Sequence, residues 1–165
     1  MSLIQSLSPE FRQRCEAIAT EQRSLLRVRS FEPLPADTLA AKLGATLFTP
    51  DQVTNFEAEQ LAVLLANDGW SGVIISDRPL WIVYTPVMHL HDIESNLMHE
   101  IAHVLLNHQS VGFDPVTGLP KRKQNNEDEA TYANAFKFLN VVYYGRHNER
   151  CCYLRLQHIL VRMKQ

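Results

Sequence analysis

The chain has 165 residues, of which 45 % are hydrophobic and 21 % charged, with a formal net charge of −2 and a pI near 6.4. That composition is ordinary for a soluble chain long enough to bury a core, and it predicts one domain over 1–165: an N-terminal helix and linker (1–35), a central core (36–145) and a C-terminal helix (146–165). The weak negative charge supplies no basic field, so direct nucleic-acid binding is not expected.

The longest apolar runs, such as LAVLLA at 61–66, fall far short of the roughly 20 residues a bilayer span needs. The opening MSLIQSLSPEFRQR has no basic stretch followed by an apolar one, so no signal peptide or membrane association is expected, and the expected location is cytoplasmic. Cys15 and the adjacent Cys151 and Cys152 form no C-x-x-C or other spaced pattern, and three is an odd number for a disulfide framework. Reduced thiols are therefore expected.

In chain order, residues 8–28 predict a helix, with Ser8 as N-cap, Pro9 at the first helical position and Phe11, Cys15, Ile18, Ala19, Leu25 and Leu26 near a helical period. FEPLP (31–35) breaks it, ADTLAAKLG (36–44) predicts a short helix closed by Gly44, and ATLFT predicts a strand. Residues 56–66 predict a further helix, and NDGWSG (67–72) has turn chemistry. VIIS (73–76) and LWIVYT (80–85), joined by DRP, predict a β-hairpin.

Residues 92–108 predict a helix with Asp92 as N-cap and Leu97, Ile101, Val104 and Leu105 as its buried stripe. The following stretch, 109–126, is rich in Gly, Pro and polar groups and predicts a long loop, either functional or disordered, whose triplet Lys121, Arg122 and Lys123 forms a solvated rim. A helix is predicted over 127–144, its acidic start suiting the helix dipole and Gly145 ending it, and a last helix over 148–164.

The chemistry lies in LMHEIAHVLLNH, residues 97–108. Four helical residues advance about 40° round the axis and one turn along it, so His99 and His103 can converge on one ion. Glu100 sits about 100° further round, off the ligand set but able to reach a water on that ion. Two neutral imidazoles with an adjacent carboxylate are the parts of a zinc-dependent hydrolase, Glu100 serving as general acid/base. Shuffling this composition produces the H-E-x-x-H pattern in about 2 % of cases, so the motif is informative without being decisive by itself.

A third ligand must come from elsewhere. The acidic segment Glu127, Asp128 and Glu129 supplies candidates. On a helix starting there, Glu129 shares a face with Tyr132, Ala133 and Phe136, so Glu129 is the expected ligand and Glu127 the reserve. His108 stands about 140° off the metal face and is not expected to ligate. His89 and His91 precede the helix and either approach the site or are solvated, while Tyr132, Tyr143, Tyr144 and His147 are candidate oxyanion donors, with buried packing the expected job of each tyrosine.

The segments AAKLG (40–44), SGVIISDRPLWIVYT (71–85), HEIAHVLLNH (99–108) and EDEATYANAF (127–136) together resemble the ImmA/IrrE family of zinc metallopeptidase-like domains, over roughly residues 36–140. The chain departs from that pattern in continuing FKFLNVVYYG where the family commonly has a leucine-leucine-x-proline run. The resemblance implies that His99 and His103 bind Zn²⁺, that Glu100 is the catalytic acid/base and that a Glu of the acidic segment completes the site. It implies an α+β, mostly helical, zincin-like domain with a small antiparallel β-sheet packed on the HExxH helix. It further implies a cytoplasmic endopeptidase acting as an anti-repressor, whose protein partner is a helix-turn-helix repressor. The competing expectations are a non-catalytic, metal-stabilised module that binds a repressor or toxin, and hydrolysis of a non-peptide amide.

Overall fold

The computed structural model describes residues 7–30, 32–53, 72–85, 90–115 and 118–134. The helices expected over 56–66 and 148–164 lie outside these residues, as do His89, Tyr143, Tyr144, His147, Cys151, Cys152 and the side chain of His91.

Helix α1 (Pro9–Leu26) begins as its sequence demands: Pro9 occupies the first turn, and the Ser8 hydroxyl accepts the Phe11 N–H at 3.1 Å. It ends with Arg27 in the left-handed region at φ 57°, so that Val28 N–H reaches back to the Arg23 carbonyl at 2.9 Å. Helix α2 (Ala36–Lys42) closes the same way through Gly44 at φ 72°, with Ala45 N–H on the Ala40 carbonyl at 2.9 Å, and this turn feeds strand β1 (Thr46–Phe48). A single 3₁₀ turn, Pro50–Gln52, follows.

Strands β2 (Gly72–Asp77) and β3 (Leu80–Tyr84) form the expected hairpin, pairing Val73 with Val83 and Ile74 with Ile82, with a register shift between Ile74 and Ser76. The sheet order is β1-β3-β2, and β1 runs parallel to β3. The expectation of an antiparallel sheet is therefore corrected to a mixed one. Only a two-residue turn forces antiparallel pairing; the long connection from β1 to β3 is ample for the crossover that a parallel pair needs.

Helix α3 (Leu90–Leu106) packs against α2, β2 and β3 and buries Leu97, Met98, Ile101, Ala102 and Leu106. Asp92 is thus inside the helix rather than its N-cap, and the helix ends two residues earlier than expected. Beyond it, the stretch expected to be a long loop folds into a two-stranded ribbon, β4 (Gly112–Phe113) with β5 (Pro120–Lys121), and then helix α4 (Gln124–Tyr132). Helix α4 begins three residues before the expected start.

The core joins α1, α2, the sheet, α3 and α4 through fully buried residues including Cys15, Leu34, Leu39, Ile82, Met98 and Ile101. Polar ties fix α3 within it. Arg14 donates to the Leu106 carbonyl at 3.1 Å, Asn134 Nδ2 donates to the Ser95 carbonyl at 2.9 Å, and Glu94 accepts the Ala36 N–H at 3.1 Å, capping the start of α2. These bonds hold both ends of α3 and its neighbours in one relation, which positions the residues of the site. No helix among the described residues is long and apolar enough to cross a membrane.

Candidate metal centre

His99 and His103 project from the last two turns of α3 toward the first turn of α4, where Glu127 meets them. Glu127 Oε2 lies 3.1 Å from His99 Nε2 and 3.3 Å from His103 Nε2, and the two ring nitrogens are 3.2 Å apart. The three atoms form a nearly equilateral triangle of two imidazole nitrogens and one carboxylate oxygen. Donors at about 2.0–2.1 Å from a tetrahedral ion stand roughly 3.3 Å from each other, so this spacing and donor chemistry fit the ligand set of one small cation. Among the described residues, His99, His103 and Glu127 form a group of His and acidic side chains that could hold a metal ion.

Glu127, the reserve candidate, is the carboxylate that meets the two histidines, while Glu129, the expected third ligand, has its Oε2 3.0 Å from His108 Nε2. The cause is the start of α4. Because the helix begins at Gln124, Glu127 already occupies its first turn, and the residue two positions on points about 200° away round the axis. The two carboxylates consequently reach different histidines.

His103 is 1 % exposed, and burial lowers its pKa although Glu127 and Glu100 pull the other way, so the ring favours the neutral form that a ligand requires. Burial pushes the Glu127 carboxyl up, but its close contacts with the His103 and His99 imidazoles outweigh that and hold the group well below the usual carboxylate range. Glu127 is therefore an anion at neutral pH. Burial likewise lowers the pKa of His108 against the opposing hydrogen bond from Glu129.

Glu100 is buried, at 7 % exposure, and its Oε2 has no hydrogen-bond partner among the described residues. A buried carboxylate oxygen without a donor is costly, which leaves this atom open to a hydrogen-bond donor. Arg122 Nη1 stands 3.8 Å from that oxygen, too far for a hydrogen bond and close enough for a Coulombic contact. Arg122 was expected on a solvated rim with Lys121 and Lys123. Instead the extended backbone leaving β5 alternates, exposing the two lysines and turning Arg122 inward.

Gly72, the first residue of β2, lies directly over Glu100: a Cβ there would be 3.3 Å from Glu100 Cγ and 3.5 Å from the Val83 carbonyl. The strand thus comes close to the carboxylate because this residue has no side chain. Tyr132, a candidate oxyanion donor, is buried with its ring 6.0 Å from that of Phe11, and it packs in the core.

His108 is the site residue that helical geometry missed. Asn107 adopts φ 58°, its N–H bonds the Val104 carbonyl at 3.1 Å, and His108 N–H returns to the His103 carbonyl at 2.9 Å. This left-handed helix end folds the chain back, and His108 Nδ1 arrives 3.0 Å from His103 Nδ1. The available signal was Asn107, since asparagine is one of the few residues besides glycine that enters this region readily.

No protein-family model, curated protein or solved structure matches the chain.

Proposed function

We propose that the chain is a zinc-dependent hydrolase, and more specifically an endopeptidase of the ImmA/IrrE kind acting on a helix-turn-helix repressor. One observation carries the hydrolase reading: the His99, His103 and Glu127 donor triangle stands beside a buried glutamate with an oxygen that has no partner among the described residues. A purely structural metal site has no use for that second carboxylate. The peptidase and repressor parts rest on the sequence resemblance spanning residues 36–140.

His99, His103 and Glu127 would hold the ion, which when bound acidifies a water and polarises a carbonyl. Glu100 accepts the water's proton at Oε2 and returns it to the departing amine. Arg122 provides positive charge near the same carboxylate, of the kind that developing negative charge on a carbonyl oxygen calls for.

Metal content and turnover separate these roles. Purified wild type should carry about one zinc per chain, His99→Ala and Glu127→Gln should lose it, and Glu129→Gln should keep it. Glu100→Gln should retain zinc while cleaving peptides drawn from helix-turn-helix repressors 10²- to 10⁴-fold more slowly, the usual contribution of a positioned acid/base. Full zinc retention in His99→Ala would remove the site, and unchanged cleavage by Glu100→Gln would remove the mechanism.

A further inference from the structure

We infer that His108 and Glu129 form an outer hydrogen-bonded chain that sets the tautomer of His103, leaving its Nε2 lone pair free for a cation. The inference rests on the metal-site reading and extends it to two residues that touch no ion.

The chain consists of three contacts in series. Glu129 Oε2 lies 3.0 Å from His108 Nε2, His108 Nδ1 lies 3.0 Å from His103 Nδ1, and His103 Nε2 faces His99 Nε2 at 3.2 Å and Glu127 Oε2 at 3.3 Å. A neutral imidazole has one N–H and one acceptor nitrogen. The carboxylate of Glu129 only accepts, so His108 must place its proton on Nε2 and present Nδ1 as an acceptor. His103 must then place its own proton on Nδ1 to donate to His108. Its Nε2 is left as a bare lone pair facing the Glu127 oxygen, an acceptor against an acceptor. A cation between them resolves the conflict, and it binds the atom that the outer chain has made available.

The opposite polarity leaves one conflict as well, but moves it away from the triangle to the His108–Glu129 contact, where a cation in the triangle cannot relieve it. If His103 donated from Nε2 to Glu127, His108 would donate from Nδ1, and its Nε2 lone pair would face the Glu129 carboxylate at 3.0 Å. Glu129 is thus the residue that decides the direction. Metal-binding histidines commonly donate their second N–H to a carboxylate or carbonyl, and losing that partner typically costs 10- to 100-fold in metal affinity. In this chain a second histidine stands between the ligand and the carboxylate. Its place there follows from the left-handed turn at Asn107.

The test combines zinc affinity, from competition with a chromophoric chelator, with ¹⁵N NMR of the histidine rings in the zinc-free protein. Wild type should show His103 protonated on Nδ1. His108→Phe and Glu129→Leu should bind zinc 10- to 100-fold more weakly and show His103 as a tautomer mixture. Glu129→Gln keeps the shape, but its amide can donate as well as accept, so it should also show His103 as a tautomer mixture, a change that mere packing would not give. If His108→Phe fails to fold, the Glu129 pair carries the test alone, since that side chain is 23 % exposed. Wild-type affinity and an unchanged His103 tautomer in folded Glu129→Leu would overturn the inference while leaving the metal site standing. Wild type that binds no zinc would overturn both.

Discussion

Glu100 makes the most specific demand on its surroundings, because a buried carboxylate oxygen has to be held close to the ligands without being tied up by a donor. Gly72 is part of that arrangement. Adding a methyl in Gly72→Ala puts a carbon 3.3 Å from Glu100 Cγ, tighter than an ordinary contact, so the glutamate must shift by a few tenths of an ångström. Displacements approaching 1 Å can cost about 100-fold in rate, so a loss on the order of tenfold is expected with zinc content unchanged. A rate equal to wild type would show that strand β2 does not position Glu100. At this scale the sequence was legible where one helix carries the residues: His99, Glu100 and His103 need only the helical repeat. It was not legible for Glu127 against Glu129, because that choice turns on where α4 begins, and no strong N-cap residue announces the start.

At the scale of elements, the helix ends matter as much as the helices. Helices α1, α2 and α3 each close through a residue at positive φ, Arg27, Gly44 and Asn107 respectively. Gly44 was readable as a stop, while Arg27 and Asn107 were not singled out. Asn107→Gly should leave the melting temperature nearly unchanged. Asn107→Val forces a β-branched residue into the left-handed region at a cost of about 1–2 kcal/mol. For a chain of this size each kcal/mol lowers the melting temperature by roughly 2–4 °C. Because the same turn delivers His108 to His103, the valine variant should also bind zinc more weakly, measured by chelator competition. A stable valine variant with full affinity would contradict that linkage. The β2–β3 hairpin was legible from its apolar runs and tight turn, but β1's parallel pairing was not, since partner choice across a long connection leaves no local trace.

At the scale of the molecule, α3 is the central member, in contact with α2, α4, β2 and β3. The triangle of His99, His103 and Glu127 joins it to α4 across a sequence separation of 28 residues between His99 and Glu127. A cation bound there couples to the tertiary fold, since the unfolded chain cannot assemble the triangle. With free zinc at 100 times its dissociation constant, the folded state gains about 2.7 kcal/mol, which amounts to roughly 5–10 °C in melting temperature. Chelation should therefore lower the wild-type midpoint by that amount and leave His99→Ala unmoved, as followed by scanning calorimetry. Equal midpoints for wild type with and without chelator would show that the two helices are not joined by an ion.

The sequence by itself determined the parts that depend on short-range periodicity and local backbone chemistry. These are the Ser8–Pro9 helix start, the Gly44 stop, the hairpin, and the histidines and glutamate that one turn of helix brings together. Tertiary structure alone decided which carboxylate completes the triangle, that Arg122 turns inward to Glu100, and that His108 stands behind His103 with Glu129 beyond it. Each of those depends on how two elements meet. A shift of three residues in one helix start, or a single left-handed turn at another's end, redirects a side chain by half a turn of helix, and nothing in local spacing records it.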